Sequence, residues 1–425
     1  MPSARVAIAT NNGDIGGGEV MLLNIAEALR SLGIEVLVLG PTGPGDLVSE
    51  ARDRGFAVEA LPAEGRRAWM VALLRWRLRH RDLPLWCNGL VPSLATAGIG
   101  PRLVHLHIVP EGLQRPAARI AQFGARRTVV ISEFMRGRLG GGTVLHNWTE
   151  EISFRPRPLP ERGPVRIGFL GRLTRDKGVH VLAEAVDRLR REHGLDVRLV
   201  LAGANRFGDA EDDRVISAAL APLGDAVERL GWVDRTEFFA GIDVAVFPSV
   251  WEEPFGLVAA EAMAAGIPFV ISRSGALPEV TGSEHPWVVR PGDSADLARA
   301  LFRLLRESGP DSLGPELKRA RRRWEREFSP SAGRQRVALL LADLPRSAGA
   351  LSVTLASRFH GGVVSTGGMN GERCSWPGMI RGVETRTHPL EGAPFRCPTL
   401  PCSSTPARAW TSLRSPRSHT PARCC

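Results

Sequence analysis

The strongest constraint on this chain is an alternation of short apolar strands with helical stretches that occurs twice, broken once by prolines. In the first run Val6-Ala7-Ile8-Ala9 reads as a strand, a glycine loop follows, Val20 to Ser31 has helical spacing, and Glu35-Val36-Leu37-Val38-Leu39 is again strand-like. Strands expected at Leu103 to Ile108 and at Thr128-Val129-Val130-Ile131 extend this βαβ unit into a parallel sheet covered by helices on both faces. The break is Arg155-Pro156-Arg157-Pro158-Leu159-Pro160-Glu161-Arg162-Gly163-Pro164, whose prolines can continue neither a central strand nor a helix. The alternation then restarts, with strands at Val165 to Leu170, Val197 to Ala202, Val227 to Leu230, Val244 to Phe247 and Pro268 to Ile271, and helices at Val179 to Arg191 and Ala295 to Glu307.

At 425 residues each half is long enough to bury its own core. The expected fold is α/β, with two Rossmann-like domains facing a cleft. Residues 1–154 form the first, 155–164 a hinge, and 165–328 the second. Residues 329–346 are a last helix, spaced by Val337, Leu340, Leu341 and Leu344, expected to return to the first domain. Residues 347–425 change to Ser, Thr, Pro, Gly, Arg and Cys without apolar periodicity, a composition expected to stay disordered and foreign in character to the rest.

Charge narrows the partners. The chain carries +10, but residues 347–425 hold nine Arg, no Lys and three Glu, which leaves the body at +4. That modest excess, without a basic motif interleaved with aromatics, argues against nucleic acid and for an anionic small ligand or membrane surface. Cys87 is the one cysteine of the body, and the five in the tail match no zinc spacing, so a reducing, cytoplasmic setting is expected. The few residues before Val6 lack the apolar stretch of a signal peptide, so none is expected, and no apolar run of spanning length occurs.

Two loops carry the chemistry. Pro248-Ser249-Val250-Trp251-Glu252-Glu253-Pro254-Phe255-Gly256-Leu257 follows a strand and opens a helix, which places free backbone amides near Phe255, Gly256 and Leu257 at a sheet's carboxyl edge, where an anion can dock. Glu253 precedes that helix and Glu261 lies in its second turn, two carboxylates able to accept hydrogen bonds from separate hydroxyls. In Gly168-Phe169-Leu170-Gly171-Arg172-Leu173-Thr174-Arg175-Asp176-Lys177-Gly178, Arg172 and Lys177 can converge on one anion and neutralise charge growing on a departing diphosphate. Asp212-Asp213 reads as a solvated, loop-like stretch, and no Asp-x-Asp motif stands at a strand end.

With these residues in place the chain resembles the family 4 glycosyltransferases over about Val6 to Leu344. The further marks are Gly17-Gly18-Glu19 opening the first helix, Ser132, Asn147, Leu201-Ala202-Gly203, Gly231-Trp232-Val233, the Glu-x7-Glu pair Glu253 and Glu261, and Gly275 to Glu279. The resemblance implies a GT-B arrangement and a retaining, metal-independent transfer from a UDP-, GDP- or related sugar to a hydroxyl acceptor. It implies that Arg172 and Lys177 contact the pyrophosphate, Glu253 the sugar and Glu261 the ribose. Gly171, Gly203, Trp232 and Val233 then border the donor, the Gly16-Gly17-Gly18 loop faces the diphosphate from the first domain, and His107 stands where sugar and acceptor meet once the cleft closes. His105 lies on the same face of the same extended segment.

Ser274-Gly275 departs from a commoner Gly-Gly, and Asn147-Trp148 from Asn-Gly, the latter expected to touch only the linker. The basic, aromatic segment Arg66 to Arg81 has two readings, a surface for an anionic bilayer or an ordinary helix packed on the first sheet. Other functions on the same scaffold are a nucleotide-sugar epimerase or phosphorylase and an inactive binding module. A dinucleotide oxidoreductase is disfavoured, because Asn12 to Gly18 lacks the G-x-G-x-x-G order and no acidic ribose ligand follows Leu39.

Overall fold

Strands buried on both faces read as continuous apolar runs, and Val6 to Ala9, each no more than 4% exposed, is the centre of such a sheet. In the computed structural model, which describes residues 4–160, 163–205, 209–307 and 310–343, the first half runs β1 (Arg5–Ala9), α1 (Gly17–Ser31), β2 (Glu35–Pro41), α2 (Asp46–Asp53), β3 (Ala57–Leu61), α3 (Gly65–Arg79), β4 (Leu85–Asn88), α4 (Leu90–Ala95), β5 (Arg102–Leu106), α5 (Gln114–Gln122), β6 (Arg127–Val130), α6 (Glu133–Leu139) and β7 (Thr143–Val144). All strands pair in parallel in the order β3-β2-β1-β4-β5-β6-β7.

The second half runs β8 (Val165–Leu170), α7 (Val179–His193), β9 (Val197–Ala202), α8 (Ala210–Leu220), β10 (Val227–Gly231), α9 (Arg235–Ala240), β11 (Val244–Phe247), α10 (Leu257–Ala265), β12 (Phe269–Ser272), α11 (Leu277–Thr281), β13 (Val288–Val289), α12 (Ser294–Glu307), α13 (Pro310–Glu327) and α14 (Pro330–Ala342). Its parallel sheet has the order β10-β9-β8-β11-β12-β13. Each sheet therefore reverses direction once, between β1 and β4 and between β8 and β11, and such reversals open a crevice at the carboxyl ends of the strands.

Three strands of the first sheet were not expected from sequence, β3, β4 and the two-residue β7. β4 is Leu85-Trp86-Cys87-Asn88, four residues without a β-branched side chain between Pro84 and Gly89, too short for a period to register. It is nonetheless central, pairing with both β1 and β5. The strand expected to reach Ile108 ends at Leu106. The expected tail lies outside the described residues, as do Glu161 and Arg162 of the proline run and Leu344 of the last helix.

The described residues belong to one unit, residues 1–356. One apolar cluster crosses between the sheets, joining Val104, Leu106, Val130 and Met135 to Phe247, Phe255, Phe269, Trp324 and Phe328. α14 starts at Ser329, whose hydroxyl caps the amide of Ala332 at 3.3 Å, and packs on α1 through Val337 and Leu340. Trp148 corrects the sequence reading. It is 2% exposed rather than a linker residue, its ring lies against Gly333 of α14, and its carbonyl accepts from Asn24 Nδ2 of α1 at 3.0 Å.

Polar contacts also span the cleft. Ser132, which caps α6 through the amide of Met135, donates its hydroxyl to the carbonyl of Pro254 at 2.7 Å. Glu279 of α11 accepts the amides of Glu133 and Phe134, at 2.7 and 2.9 Å, and His146 Nε2 at 2.8 Å. Burial pushes the Glu279 carboxyl up, but the hydrogen bonds from His146 and the two amides outweigh it and hold its pKa below the ordinary value. A depressed carboxylate contributes stability at neutral pH that is lost as pH falls through its folded pKa. Glu279→Gln is therefore expected to destabilise the fold by about 2 kcal/mol at pH 7, and the gap in thermal midpoint from wild type should close as the medium is taken below the carboxylate range. A gap that persists unchanged in acid would contradict the assignment.

Candidate active site

The site is built on the loops that leave β8 and β11. After Leu170 the chain turns at Gly171 and forms one 3-10 turn, Arg175–Lys177, before α7. The carbonyl of Asp176 accepts the amides of Val250 and Trp251 at 2.9 and 3.4 Å, which joins this loop to the one that follows β11. Gly178 has φ 74°, and a side chain there would overlap the carbonyl of Pro248, so the close approach of the loops requires glycine.

Lys177, one of two lysines in a chain with 53 arginines, reaches across that junction. Its Nζ donates to Glu253 Oε2 at 2.6 Å and lies 5.8 Å from the centre of the Trp251 ring; Ser249 Oγ donates to the same carboxylate oxygen at 3.0 Å. Both partners are mostly buried, at 19% and 13% side-chain exposure. Gly275 presses on the backbone of Glu253, whose carbonyl accepts Ala276 N at 2.8 Å, and the Ser274 hydroxyl donates to the carbonyl of Trp251. The Ser274-Gly275 pair thus sets the path of the Glu253 loop. Arg172 donates to Asp176 Oδ2 at 3.0 Å, so each of the two expected cations is held by a carboxylate.

Asp212 corrects the sequence reading as well. It is not a solvated loop residue: it lies in the first turn of α8, 9% exposed, where it forms a capping box with Asp209. Its Oδ1 accepts both the amide of Arg175 at 3.0 Å and Arg175 Nε at 2.8 Å, so it supports the cationic loop from behind. The amide of Arg175 is the main cause of its lowered pKa.

α10 begins after Gly256, and its residues Ala259 to Ala265 are buried. Phe255 is 2% exposed and packs its ring against Phe328, so only its backbone is available to a ligand. Glu261 is 3% exposed; its Oε1 meets Arg235 Nε at 3.1 Å and its Oε2 is buried without a hydrogen-bond partner. Burial raises its pKa, and Arg235 acts in the opposite sense. Sequence reading missed Arg235, because a pairing across 26 positions leaves no local signal. At the neighbouring strand ends Gly203 N donates to Gly231 O at 2.6 Å, Val233 packs against the core, and Trp232 stands 85% exposed.

From the first domain come α1 and the ends of β4 and β5. Gly17 faces Leu257: a side chain on it would lie 3.4 Å from Leu257 Cδ1, so the N-termini of α1 and α10 meet across the cleft. Glu19 accepts the amide of Gly16 at 3.3 Å and the Thr10 hydroxyl at 3.2 Å, which fixes the glycine turn. His107 Nε2 lies 2.7 Å from Asn88 Oδ1, while Asn88 Nδ2 donates to the carbonyl of Gly18 at 3.0 Å. Asn88 Oδ1 can only accept, so Nε2 of His107 carries the proton and the buried, unpartnered Nδ1 is an acceptor. Burial drives the His107 pKa down to about 4, which keeps the ring neutral. His105 is fully buried, receives Trp86 Nε1 at 3.3 Å and stacks near His107, a structural residue. Asn88 was missed because β4 was.

Comparison with known proteins agrees with this geometry. The family description "Glycosyltransferase Family 4" matches residues 15–148, and "Glycosyl transferases group 1" matches residues 164–307. Glycogen synthase of Mycobacterium tuberculosis is 31% identical over 261 residues, 60% of this chain and 53% of that protein. An MMP alpha-(1->4)-mannosyltransferase of Mycolicibacterium hassiacum is 37% identical over 156 residues, 34% of this chain and 36% of its own length. The chain thus spans about half or less of these relatives. Among solved structures, Anabaena HepE in complex with UDP and glucose superposes with a TM-score of 0.69 at 20% identity, over 80% of this chain and 99% of that one. Sucrose-phosphate synthase of Thermosynechococcus elongatus gives 0.68 at 21%, over 80% of this chain and 99% of that one. With both halves matched in order and two parallel sheets meeting at their carboxyl edges, this chain belongs to the family 4 glycosyltransferases and has the GT-B fold.

Proposed function

We propose that the chain transfers a sugar, with retention of anomeric configuration and without a metal ion, from a nucleoside-diphosphate sugar to a hydroxyl acceptor. The observation that carries this reading is the Lys177–Glu253 contact beneath the α10 N-terminus. A diphosphate at that terminus draws Lys177 and Arg172 from their carboxylates, and the Glu253 oxygen so released accepts a hydroxyl of the transferred sugar. The two cations and the amides near Gly256 then offset the charge that forms on the departing diphosphate, which is the task a metal performs elsewhere. His107, neutral and with its buried Nδ1 lacking a partner, accepts from a sugar hydroxyl on the side of the first domain. Glu261, oriented by Arg235, binds the ribose, and the loop of Gly203, Gly231, Trp232 and Val233 borders the base. UDP-sugars are the first donors to try, since HepE is described with UDP and glucose. The same reading sets the reaction in the cytoplasm, with Cys87 a buried free thiol.

The double variant Arg172→Gln/Lys177→Gln is expected to lose transfer by about 1000-fold or more in kcat, while EDTA leaves the wild type unchanged. Normal turnover by the double variant, or loss of activity in EDTA, measured by release of the nucleoside diphosphate, would refute the scheme. Arg235→Gln leaves the Glu261 carboxyl buried without its cation, so donor KM is expected to rise about tenfold with little change in kcat. An unchanged KM would remove Arg235 from the donor site.

A further inference from the structure

The first domain presents a surface that donor binding leaves unexplained. α3, α4 and α5 form one layer, since α4 packs against both of the others, and right-handed crossovers place all three on the sheet face opposite α1 and α2. Within this layer Ala118 and Ala121 turn α5 toward the protein, while Leu113, Pro116, Ile120 and Phe123 recur at helical spacing on its other side. Leu113 is 91% exposed, Phe123 73% and Ile120 57%. Large apolar side chains grouped in this way on a surface mark an interaction site.

The charges around the stripe indicate what covers it. Arg115 and Arg119 of α5 and Arg66, Arg67, Arg75 and Arg79 of α3 are exposed, and none of the six side chains has an ion pair or hydrogen bond among the described residues. Other surface arginines, such as Arg30 and Arg136 in the first domain and Arg188, Arg191, Arg214 and Arg299 in the second, each pair with a carboxylate three or four positions away. Unpaired cations and an unpaired apolar stripe therefore share one layer.

We propose that this layer docks on an anionic lipid bilayer, with the α5 stripe in the headgroup boundary and the six arginines on lipid phosphates. Glu64, Asp82 and Glu111, the acidic residues nearest in sequence, are too few to reverse the sign. The aromatics of α3 do not make this contact, contrary to the bilayer reading of residues 66–81. Trp69 and Trp76 are buried against the sheet, and Arg77 is fully buried, donating to the carbonyls of His80, Leu83, Ile99 and Pro101. No described helix is long and apolar enough to cross a membrane, so the contact is peripheral. Because residues 108–113 join His107 directly to α5, docking brings the acceptor side of the cleft to the lipid, and a lipid-borne hydroxyl is the acceptor that fits. That last step rests on the transferase reading; the docking does not.

The test is co-sedimentation of the full chain with vesicles of phosphatidylcholine alone or mixed with phosphatidylglycerol. Binding is expected only to the anionic vesicles and should weaken as salt is raised. The variants Arg115→Gln/Arg119→Gln and Leu113→Gln/Ile120→Gln/Phe123→Gln should each bind about 30-fold more weakly, with circular dichroism and nucleotide-induced thermal shift unchanged because every altered side chain is exposed. The proposal is overturned if wild type sediments equally with neutral vesicles or with neither. It is overturned too if the variants bind as tightly as wild type, or if the apolar variant instead dissolves a dimer or abolishes binding to RNA by a protein that ignores vesicles. None of these readouts involves transfer, so failure of docking and failure of the catalytic reading remain separate results.

Discussion

The ion pair between Lys177 and Glu253 ties together the two loops on which the site is built. One loop leaves β8 and the other β11, adjacent parallel strands separated by more than 70 residues, and their carboxyl ends lie at the reversal of strand order. Backbone hydrogen bonds from Val250 and Trp251 to Asp176 hold the loops in register, and Gly178 and Gly275 remove the side chains that would keep them apart. A charge this far out of water depends on its partner, so neither residue is replaceable alone without leaving the other uncompensated. The same dependence makes the pair responsive: a ligand with its own negative charge competes for Lys177 and frees Glu253.

The first domain completes what this pair begins. Its contribution is a chain of hydrogen bonds from the glycine turn of α1 through Asn88 to His107, which settles the proton on Nε2 and leaves Nδ1 to accept. Ser132 and Glu279 bond across the cleft at the first turn of α6, so the two sheets meet through specific polar contacts as well as an apolar cluster. α14 and Trp148 brace the far side of the first domain. Catalysis of the proposed kind needs donors from both lobes, and these contacts set their separation.

The surface arginines of the chain are not all alike. Several surface guanidinium groups, among them Arg30, Arg188 and Arg214, are neutralised within their own helix turn, whereas the exposed ones on α3 and α5 are not. Local pairing contributes little to stability at exposed sites, so the contrast bears on what each surface meets rather than on how the domains stay folded.

Periodicity and turn residues were enough to show two parallel α/β halves, because strands buried on both faces and helices with one apolar side leave local patterns in the chain. They also located the loop of Arg172 and Lys177 and the carboxylates Glu253 and Glu261, since strand-to-helix turns at a sheet edge are written in contiguous residues. Packing alone could reveal β4, whose four residues carry no period, and with it Asn88. The same holds for Asp212 behind the cationic loop, Arg235 on Glu261, Trp148 in the core and the outward stripe of α5. Each of these depends on which distant segment lies alongside, and that is set by the burial of whole faces against one another rather than by any local run of residues.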